Sequence, residues 1–122
     1  MSIFLSPAEK MLLRQACHAM QVLHMSKTSR DRQEAQAALD ALIAELTSEA
    51  HTTADIIAAV RAYTDEMHAV QNSLRRAAGA GNDAAITVAI IEYVRFSSST
   101  FGVTQAEAER DAATLMTMPL SS

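Results

Sequence analysis

Apolar residues recur at alternating steps of four and three along the middle of the chain, between residues 56 and 77. The positions in this series are Ile56, Val60, Tyr63, Met67, Val70, Leu74 and Ala77. This spacing places every member on one face of an α-helix, because about 3.6 residues make one helical turn. The pattern therefore predicts a long helix that is packed along its length.

A shorter series with the same spacing precedes it and predicts a second helix. Its members are Ala35, Leu39, Leu42 and Leu46. Few residues separate the two series, and helices joined by short connections usually pack antiparallel. We therefore expect these two helices to form a hairpin.

A hydroxyl residue followed three positions later by an acid occurs four times, each time near the start of an apolar series. The pairs are Ser6 with Glu9, Thr28 with Asp31, Thr52 with Asp55, and Thr104 with Glu107. In such a pair the hydroxyl accepts a hydrogen bond from the first helical turn, and the acid complements the helix dipole. With Gly102 as a stop signal, the sequence predicts five helices, at 7–25, 29–49, 53–78, 83–99 and 105–117.

The predicted fourth helix is the segment most open to another interpretation, since many of its residues are β-branched or aromatic and also suit a strand. These residues are Ile86, Val88, Ile90, Ile91, Tyr93 and Val94. No second strand-like run exists to pair with it, and an isolated strand leaves its amides unsatisfied. We therefore expect a helix that is apolar on nearly every side and central in a bundle. If that expectation fails, exchange of this segment with a second copy becomes the better explanation.

Stripes of small residues lie on the predicted second and third helices, where they allow another helix to approach closely. They are Ala37, Ala41, Ala44 and Ser48 on the second helix, and Ala58, Ala59, Ala62 and Ala69 on the third. The approaching helix can come from the same chain or from a partner. We favour the same chain, because the first and fourth helices also need cover.

The composition agrees with an all-α protein. Only three Gly and two Pro occur in 122 residues, and both prolines lie near the termini, so the interior lacks the turn residues that an all-β fold needs. The length is typical of one domain. The sequence thus predicts a single helical domain over residues 1–122, built as a compact antiparallel bundle of four to five helices.

The cysteine content and the apolar runs bear on location. Cys17 is the only cysteine in the sequence, so no internal disulfide can form, and a cytoplasmic protein fits best. The longest apolar run, residues 84–91, is interrupted by Thr87 and is far shorter than the roughly 20 residues that span a membrane. We therefore expect no membrane segment.

Charge is unevenly distributed along the chain. Residues 1–32 carry five basic and two acidic side chains, whereas residues 33–74 carry seven acidic side chains and only Arg61 as a base. The acids of the predicted hairpin are therefore candidates for contacting a partner protein; the candidate residues are Asp40, Glu45, Glu49, Asp65 and Glu66. A solvated helix exterior is the simpler explanation of the same residues. The acidic pI, about 5.5, argues against direct binding of nucleic acid.

Two groups of basic residues suggest an alternative site for an anionic small molecule such as a nucleotide. The candidates are Lys27, Arg30, Arg32, Arg75 and Arg76. The last two precede the turn Gly79–Asp83, and the amino end of the following helix can face an anion. The spacing matches no phosphate-binding loop motif. Arginines in a last helical turn also complement the helix dipole without any ligand.

Residues suited to catalysis or metal binding occur without a recognisable pattern. Asp65 and His68 share a helix face, but a carboxylate-bridged di-iron bundle needs two Glu-x-x-His motifs and further glutamates. Cys17 lies on an apolar helical face and is expected to be buried and unreactive. We therefore expect no catalytic site, no metal and no cofactor.

The sequence as a whole favours a small non-enzymatic protein–protein interaction module of the adaptor, chaperone or inhibitor type. It presents its acidic hairpin to another protein, with an apolar patch supplying affinity. A homodimer is also expected, because the series at 56–77 and the alanine stripes can serve two copies. The alternative is an oligomeric module that binds or sequesters the anionic small molecule.

Overall fold

The computed structural model describes residues 4–118, and this part of the chain contains helices and no strand. The helices are α1 (Pro7–Met25), α2 (Ser29–Leu46), α3 (Thr53–Ala80), α4 (Asp83–Phe101) and α5 (Gln105–Met116). The predicted all-α class with five helices is confirmed, including a helix in the segment for which a strand was the alternative.

The hydroxyl–acid pairs cap the helices as predicted. At the start of α1, the Ser6 hydroxyl accepts from the backbone N–H of Glu9 at 3.2 Å, and the Glu9 carboxylate accepts from the backbone N–H of Ser6 at 2.9 Å. The hydroxyls of Thr28, Thr52 and Thr104 accept in the same way from the amide three residues later. Each bond satisfies an amide that the first helical turn leaves without an intrahelical acceptor.

Helix α2 ends three residues earlier than predicted, and hydroxyl residues bond to local backbone groups where it ends. The Thr47 hydroxyl donates to the Ile43 carbonyl at 2.8 Å, and the backbone of Thr47 turns to an extended conformation. Ser48 and His51 then exchange two backbone hydrogen bonds, at 2.8 and 3.2 Å. Threonine and serine commonly compete with the helix for local backbone groups in this manner.

Glycine and asparagine shape the connections around α4. Gly81 has a φ of 66°, which permits the sharp turn after α3. The Asn82 side chain then caps α4 by accepting from the backbone N–H of Ala85 at 3.1 Å. Gly102 ends α4 in the left-handed conformation at φ 69°, as the sequence predicted.

The helices fall into two units by their packing, and the division lies within α3, between Asp65 and Glu66. In the first unit, α1 packs against α2. Its buried residues come from Leu5, α1, α2 and the first half of α3; they are Leu5, Leu13, Ala16, Cys17, Ala19, Met20, Ala35, Leu39, Ile43, Leu46, Ile56, Ala59, Val60 and Thr64.

In the second unit, the end of α3 packs with α4 and α5 around a core that contains many small side chains. The buried members of this core are Leu74, Ala77, Ala89, Tyr93 and Ala112. Alanines on all three helices let the helix axes come close, while Leu74 and Tyr93 fill the remaining volume. The expectation of one domain over residues 1–122 stays a prediction.

The predicted packed face of α3 is confirmed. Ile56, Val60, Met67, Leu74 and Ala77 are buried, and the two remaining members of the series are partly buried. On α2 the face is rotated slightly from the predicted one, since Ile43 is buried more deeply than Leu42.

Two burial predictions are wrong. Helix α4 is not central in the bundle. Only Ala89, Tyr93, Ser97 and Phe101 of this helix are buried, and they form one face. No helix within residues 4–118 covers the predicted stripe, because Ala37, Ala41 and Ala44 on α2 and Ser48 just after it are all exposed. The composition of a segment shows which of its residues can be buried, but it does not show whether another helix packs against them.

Candidate interaction surfaces

The outward face of α1 carries exposed apolar side chains with no charged residue among them. Met11, Val22 and Met25 are 62%, 41% and 72% exposed, and Gln15 and His18 lie between them on the same face. The five positions follow one another at steps of four and three, the spacing of a helical seam. This face lies opposite the buried face of α1, so both sides of the helix are suited to packing.

The carboxyl end of this face borders an open groove between α1 and α2, with a volume of about 440 Å³. Val22 and Met25 supply apolar lining, and Lys27, Asp31 and Glu34 supply charged lining. An apolar side chain of a partner can therefore enter the groove beside polar groups that orient it. Sites with this combination of lining are common in protein recognition.

All five acids of the predicted acidic surface are exposed, but they do not form one patch. Asp40 and Glu45 lie about 140° apart around the axis of α2, since each residue advances by about 100°. Glu49 follows the end of α2, in the connection to α3. Asp65 and Glu66 lie on α3, where the two units divide.

Two of the three basic residues near the start of α2 bond to neighbouring groups of the same chain. Arg30 forms an ion pair with Glu34, with Nε and Oε1 3.2 Å apart, and both side chains are largely exposed. Arg32 donates to the backbone carbonyl of Ser26 at 3.5 Å. Lys27 lines the groove between α1 and α2. These three residues belong to the first unit, and Arg75 and Arg76 belong to the second.

Arg75 and Arg76 have different surroundings near the end of α3. The Nε of Arg75 is buried and, within the described part of the chain, has no hydrogen-bond partner. Arg76 is exposed and lines a groove that Asn82 also lines. The amino end of α4 is already capped by the Asn82 side chain and carries Asp83 in its first turn. The Asn82 oxygen and the Asp83 carboxylate therefore already supply the acceptor and the negative charge that an anion would bring to this helix end.

The groove that Arg76 lines runs between the end of α3 and the first half of α4, and its volume is about 600 Å³. Its walls are mostly small or apolar, with Val88 and several alanines, and it carries one charge of each sign, on Arg76 and Glu92. Val88 and Ile91 are 55% and 45% exposed on the outward side of α4. β-Branched side chains lose rotamer freedom in a helix, and exposed Val88 and Ile91 gain no burial in return.

The groups suited to chemistry are either buried or isolated. The Cys17 thiol is buried and donates to the Val60 carbonyl, and burial raises its pKa to about 11. His51 lies near Glu9, with Nε2 3.7 Å from Oε2. Across residues 4–118, no group of three or more His, Cys, Asp or Glu residues is placed to hold a metal ion. His68, considered above as a metal ligand, is exposed on α3.

Sequence reasoning missed the outward face of α1 and the Asn82 cap. The face has the same four–three spacing that identified α3, so the signal was present at Met11, Val22 and Met25. It was hidden by the second apolar face of α1, which carries Leu13 and Met20. Asn82 was assigned to the turn, although asparagine is a strongly preferred N-cap residue.

The described part of the chain contains no helix with the length and apolar character that crossing a membrane requires. Comparison with protein-family models, with curated proteins and with solved structures gave no match, so function is inferred from the surfaces of this chain alone.

Proposed function

We propose that this protein is a non-enzymatic protein–protein interaction module of the adaptor, chaperone or inhibitor type. The observation that carries the proposal is the outward face of α1, where Met11, Val22 and Met25 are exposed in the spacing of a helical seam. Exposed apolar residues on one helix face are suited to interaction, because leaving them in water forgoes hydrophobic stabilisation. A partner helix that covers this face gains that stabilisation.

Methionine suits such a surface for a physical reason. Its unbranched, polarizable side chain adapts to partners of different shape. His18 and Gln15 lie between the apolar positions and can hydrogen-bond to a partner without the cost of burying a fixed charge. The composition of this face therefore favours a protein surface as its ligand over a single small molecule.

The acids contribute to the rate of association. Asp40, Glu45, Glu49, Asp65 and Glu66 are exposed, and they create a negative field that steers a basic partner even though they form no single patch. In this mechanism the acids on α2 and α3 guide the encounter, and the apolar face of α1 supplies the affinity. The proposal retains the role assigned to the acidic hairpin and adds the apolar surface that the mechanism requires.

The proposal also includes a homodimer and a cytoplasmic location. A single cysteine that is buried and forms no disulfide supports a reducing compartment. Exposed Val88 and Ile91 on α4 support self-association, because they give the second unit an apolar surface of its own.

A capture experiment tests the proposal. The wild-type protein and a Met11→Lys/Met25→Lys variant are immobilised, exposed to a lysate of the source organism, and the retained proteins are quantified by mass spectrometry. We expect at least one protein that the wild type retains and the variant loses. The matched control is Ala106→Lys/Ala113→Lys, which adds the same charge at exposed positions of α5. Equal retention by wild type and variant would contradict the proposal.

A second candidate function is binding or sequestration of an anionic small molecule such as a nucleotide. The observation that favours it is the buried Nε–H of Arg75, which has no partner among the described residues. Buried donors without partners are rare, and an unseen ligand is one explanation. Native mass spectrometry tests this candidate, since a bound nucleotide adds a defined mass that Arg75→Ala/Arg76→Ala should remove.

A further inference from the structure

We propose that Met11 and Met25 are a pair of oxidation sites that control binding at the outward face of α1. Peroxide converts both side chains to methionine sulfoxide while the fold stays intact, and the oxidised face no longer binds a partner protein. The inference rests on the proposed function, because it regulates the surface that carries that function. It adds a modification chemistry and names the two residues that undergo it.

The methionines of α1 and α3 differ sharply in exposure. Met11 and Met25 are 62% and 72% exposed, whereas Met20 and Met67 are 8% and 7% exposed. A small oxidant must reach the sulfur atom, so exposed methionines react before buried ones. Met20 lies on the same helix as the exposed pair and provides a comparison within α1. Oxidation of the folded protein therefore modifies the outward face of α1 and spares its buried face.

The reaction balances with hydrogen peroxide as the oxidant. A lone pair of the thioether sulfur attacks one peroxide oxygen, and the O–O bond breaks as the S–O bond forms. The proton on the transferred oxygen passes to the departing hydroxide, which gives water; sulfur loses two electrons and peroxide gains them. Cys17 does not compete, because its thiol is buried and burial raises its pKa to about 11, which keeps the reactive thiolate scarce.

Oxidation removes most of the apolar character of the outward face. The apolar side chains on this face are Met11, Val22 and Met25, and both methionines gain a polar oxygen that water solvates. The methionines are about 21 Å apart along the helix axis, so both ends of the face change together. Val22, which is 41% exposed, then remains as the apolar side chain of the face. A partner that covers the oxidised face must remove water from two sulfoxide groups.

The groove at the carboxyl end of this face changes in the same direction. Val22 and Met25 supply apolar lining beside the charged side chains of Lys27, Asp31 and Glu34. A sulfoxide on Met25 places a polar group on the more exposed of these two apolar side chains. An apolar side chain of a partner that enters the groove then gains less hydrophobic stabilisation.

The fold tolerates the modification, because neither side chain belongs to the buried face of α1. That face carries Leu13, Cys17 and Met20, whereas sulfoxides at Met11 and Met25 remain in contact with water. Exposure also permits enzymatic reduction, since methionine sulfoxide reductases return each sulfoxide epimer to the thioether. The modification is therefore reversible and differs from oxidative damage that unfolds a protein.

Peptide mapping after peroxide treatment tests the selectivity. The purified full chain is treated with hydrogen peroxide, quenched at intervals with free methionine and digested, and tandem mass spectrometry locates the added oxygen. We expect Met11 and Met25 to oxidise at least about tenfold faster than Met20 and Met67, and all of them at similar rates in urea. Equal rates in the native protein overturn the proposal. Loss of helical circular dichroism while only Met11 and Met25 are oxidised also overturns it.

Capture from a lysate of the source organism tests the effect on binding. The probe is the set of proteins that the wild type retains and Met11→Lys/Met25→Lys loses. The oxidised wild type should retain at least about tenfold less of them, and methionine sulfoxide reductases should restore retention. Met11→Leu/Met25→Leu stays apolar and cannot form sulfoxides at these positions, so its retention should survive peroxide. Met118→Leu is the matched control: it removes a methionine that is 46% exposed outside this face and should stay sensitive to peroxide.

The outcomes separate this inference from the proposal on which it rests. Retention that survives oxidation of Met11 and Met25 overturns the control by oxidation and leaves the interaction surface standing. Peroxide that abolishes retention equally in Met11→Leu/Met25→Leu has the same consequence, because another residue is then responsible. A wild type that retains no more than Met11→Lys/Met25→Lys contradicts the proposed function and overturns this inference with it.

Discussion

The Cys17 thiol on α1 donates to the backbone carbonyl of Val60 on α3, with Sγ 3.8 Å from the oxygen. The same carbonyl accepts from the Thr64 hydroxyl at 2.6 Å. Both side chains are buried, and each of their polar groups has a hydrogen-bond partner in the interior of the first unit. Cys17 therefore joins α1 to α3 through a side chain that is otherwise a small hydrophobe.

This environment predicts an unreactive thiol. Burial raises the pKa of Cys17 from an ordinary value of 9.0 to about 11. Because the thiolate is the reactive species, a rise of this size lowers its population about a hundredfold near neutral pH, and steric exclusion lowers the rate further. We expect a disulfide reagent to label the native protein at least about a hundredfold more slowly than the denatured chain. Rapid labelling of the native protein would contradict the buried geometry.

The same pKa shift predicts a loss of stability in alkali. Below pH 9 the thiol is protonated in both the folded and unfolded states, so it gives no pH dependence. Between pH 9 and about 11 the unfolded chain releases the proton while the folded chain retains it, and unfolding becomes easier. We expect the wild type to lose roughly 2–3 kcal/mol more than Cys17→Ala over this range. Urea denaturation of both proteins at several pH values measures the difference.

The capping box at the start of α1 predicts a loss of stability in acid. The hydrogen bond from the backbone N–H of Ser6 lowers the pKa of Glu9 below its ordinary value of 4.5, and the Ser6 hydroxyl and His51 act in the same direction. The carboxylate therefore stabilises the fold above pH 4.5, and this stabilisation disappears as the pH falls through the lower folded pKa. Glu9→Gln should lose less stability than the wild type on acidification, as thermal unfolding can measure.

The Ser6 side chain can be tested separately from the Glu9 charge. Ser6→Ala removes the acceptor for the Glu9 amide and should destabilise the protein by about 1 kcal/mol at neutral pH. Ser6→Asp keeps an acceptor at the same position and should retain most of the stability. Equal stability of Ser6→Ala and the wild type would show that the start of α1 contributes little to folding.

Helix positions could be predicted from the sequence because they depend on local chemistry. Ser6, Thr28 and Thr104 mark helix starts through bonds that reach only three residues. Gly102 marks a stop because the left-handed conformation is costly for other residues. The error at the end of α2 is also local, since the backbone leaves the helix at Thr47, where the apolar pattern gave no sign of a stop.

Burial was harder to predict, because a pattern of apolar residues does not specify what covers them. Helix α1 has one apolar face around Leu13 that is buried and another around Met11 and Met25 that is exposed. Helix α4 is apolar on several sides, yet Val88 and Ile91 remain exposed. Which face is covered depends on residues distant in the sequence, and the periodicity of a single helix contains no information about them.

The Nε of Arg75, which has no partner among residues 4–118, predicts that this side chain contributes little to stability in the isolated protein. A buried donor without an acceptor retains its desolvation cost, so Arg75→Met should leave the free energy of unfolding unchanged or raise it by about 1 kcal/mol. Arg76→Met is the control, because its side chain is exposed. A clear destabilisation by Arg75→Met that depends on added nucleotide or phosphate would instead support the anion-binding function.

Charge reversal on α2 predicts slower association with a partner that the outward face of α1 retains. Asp40→Lys and Glu45→Lys should each lower the association rate constant by a few-fold at low salt, with a smaller effect on dissociation, because both residues are exposed and act over distance. The effect should shrink as salt screens the field. Glu109→Lys, on α5, changes the net charge equally and is the control. Association rate constants that are the same for all three variants at every salt concentration would assign recognition to the apolar face alone, since the loss of acids that steer a partner must lower this constant.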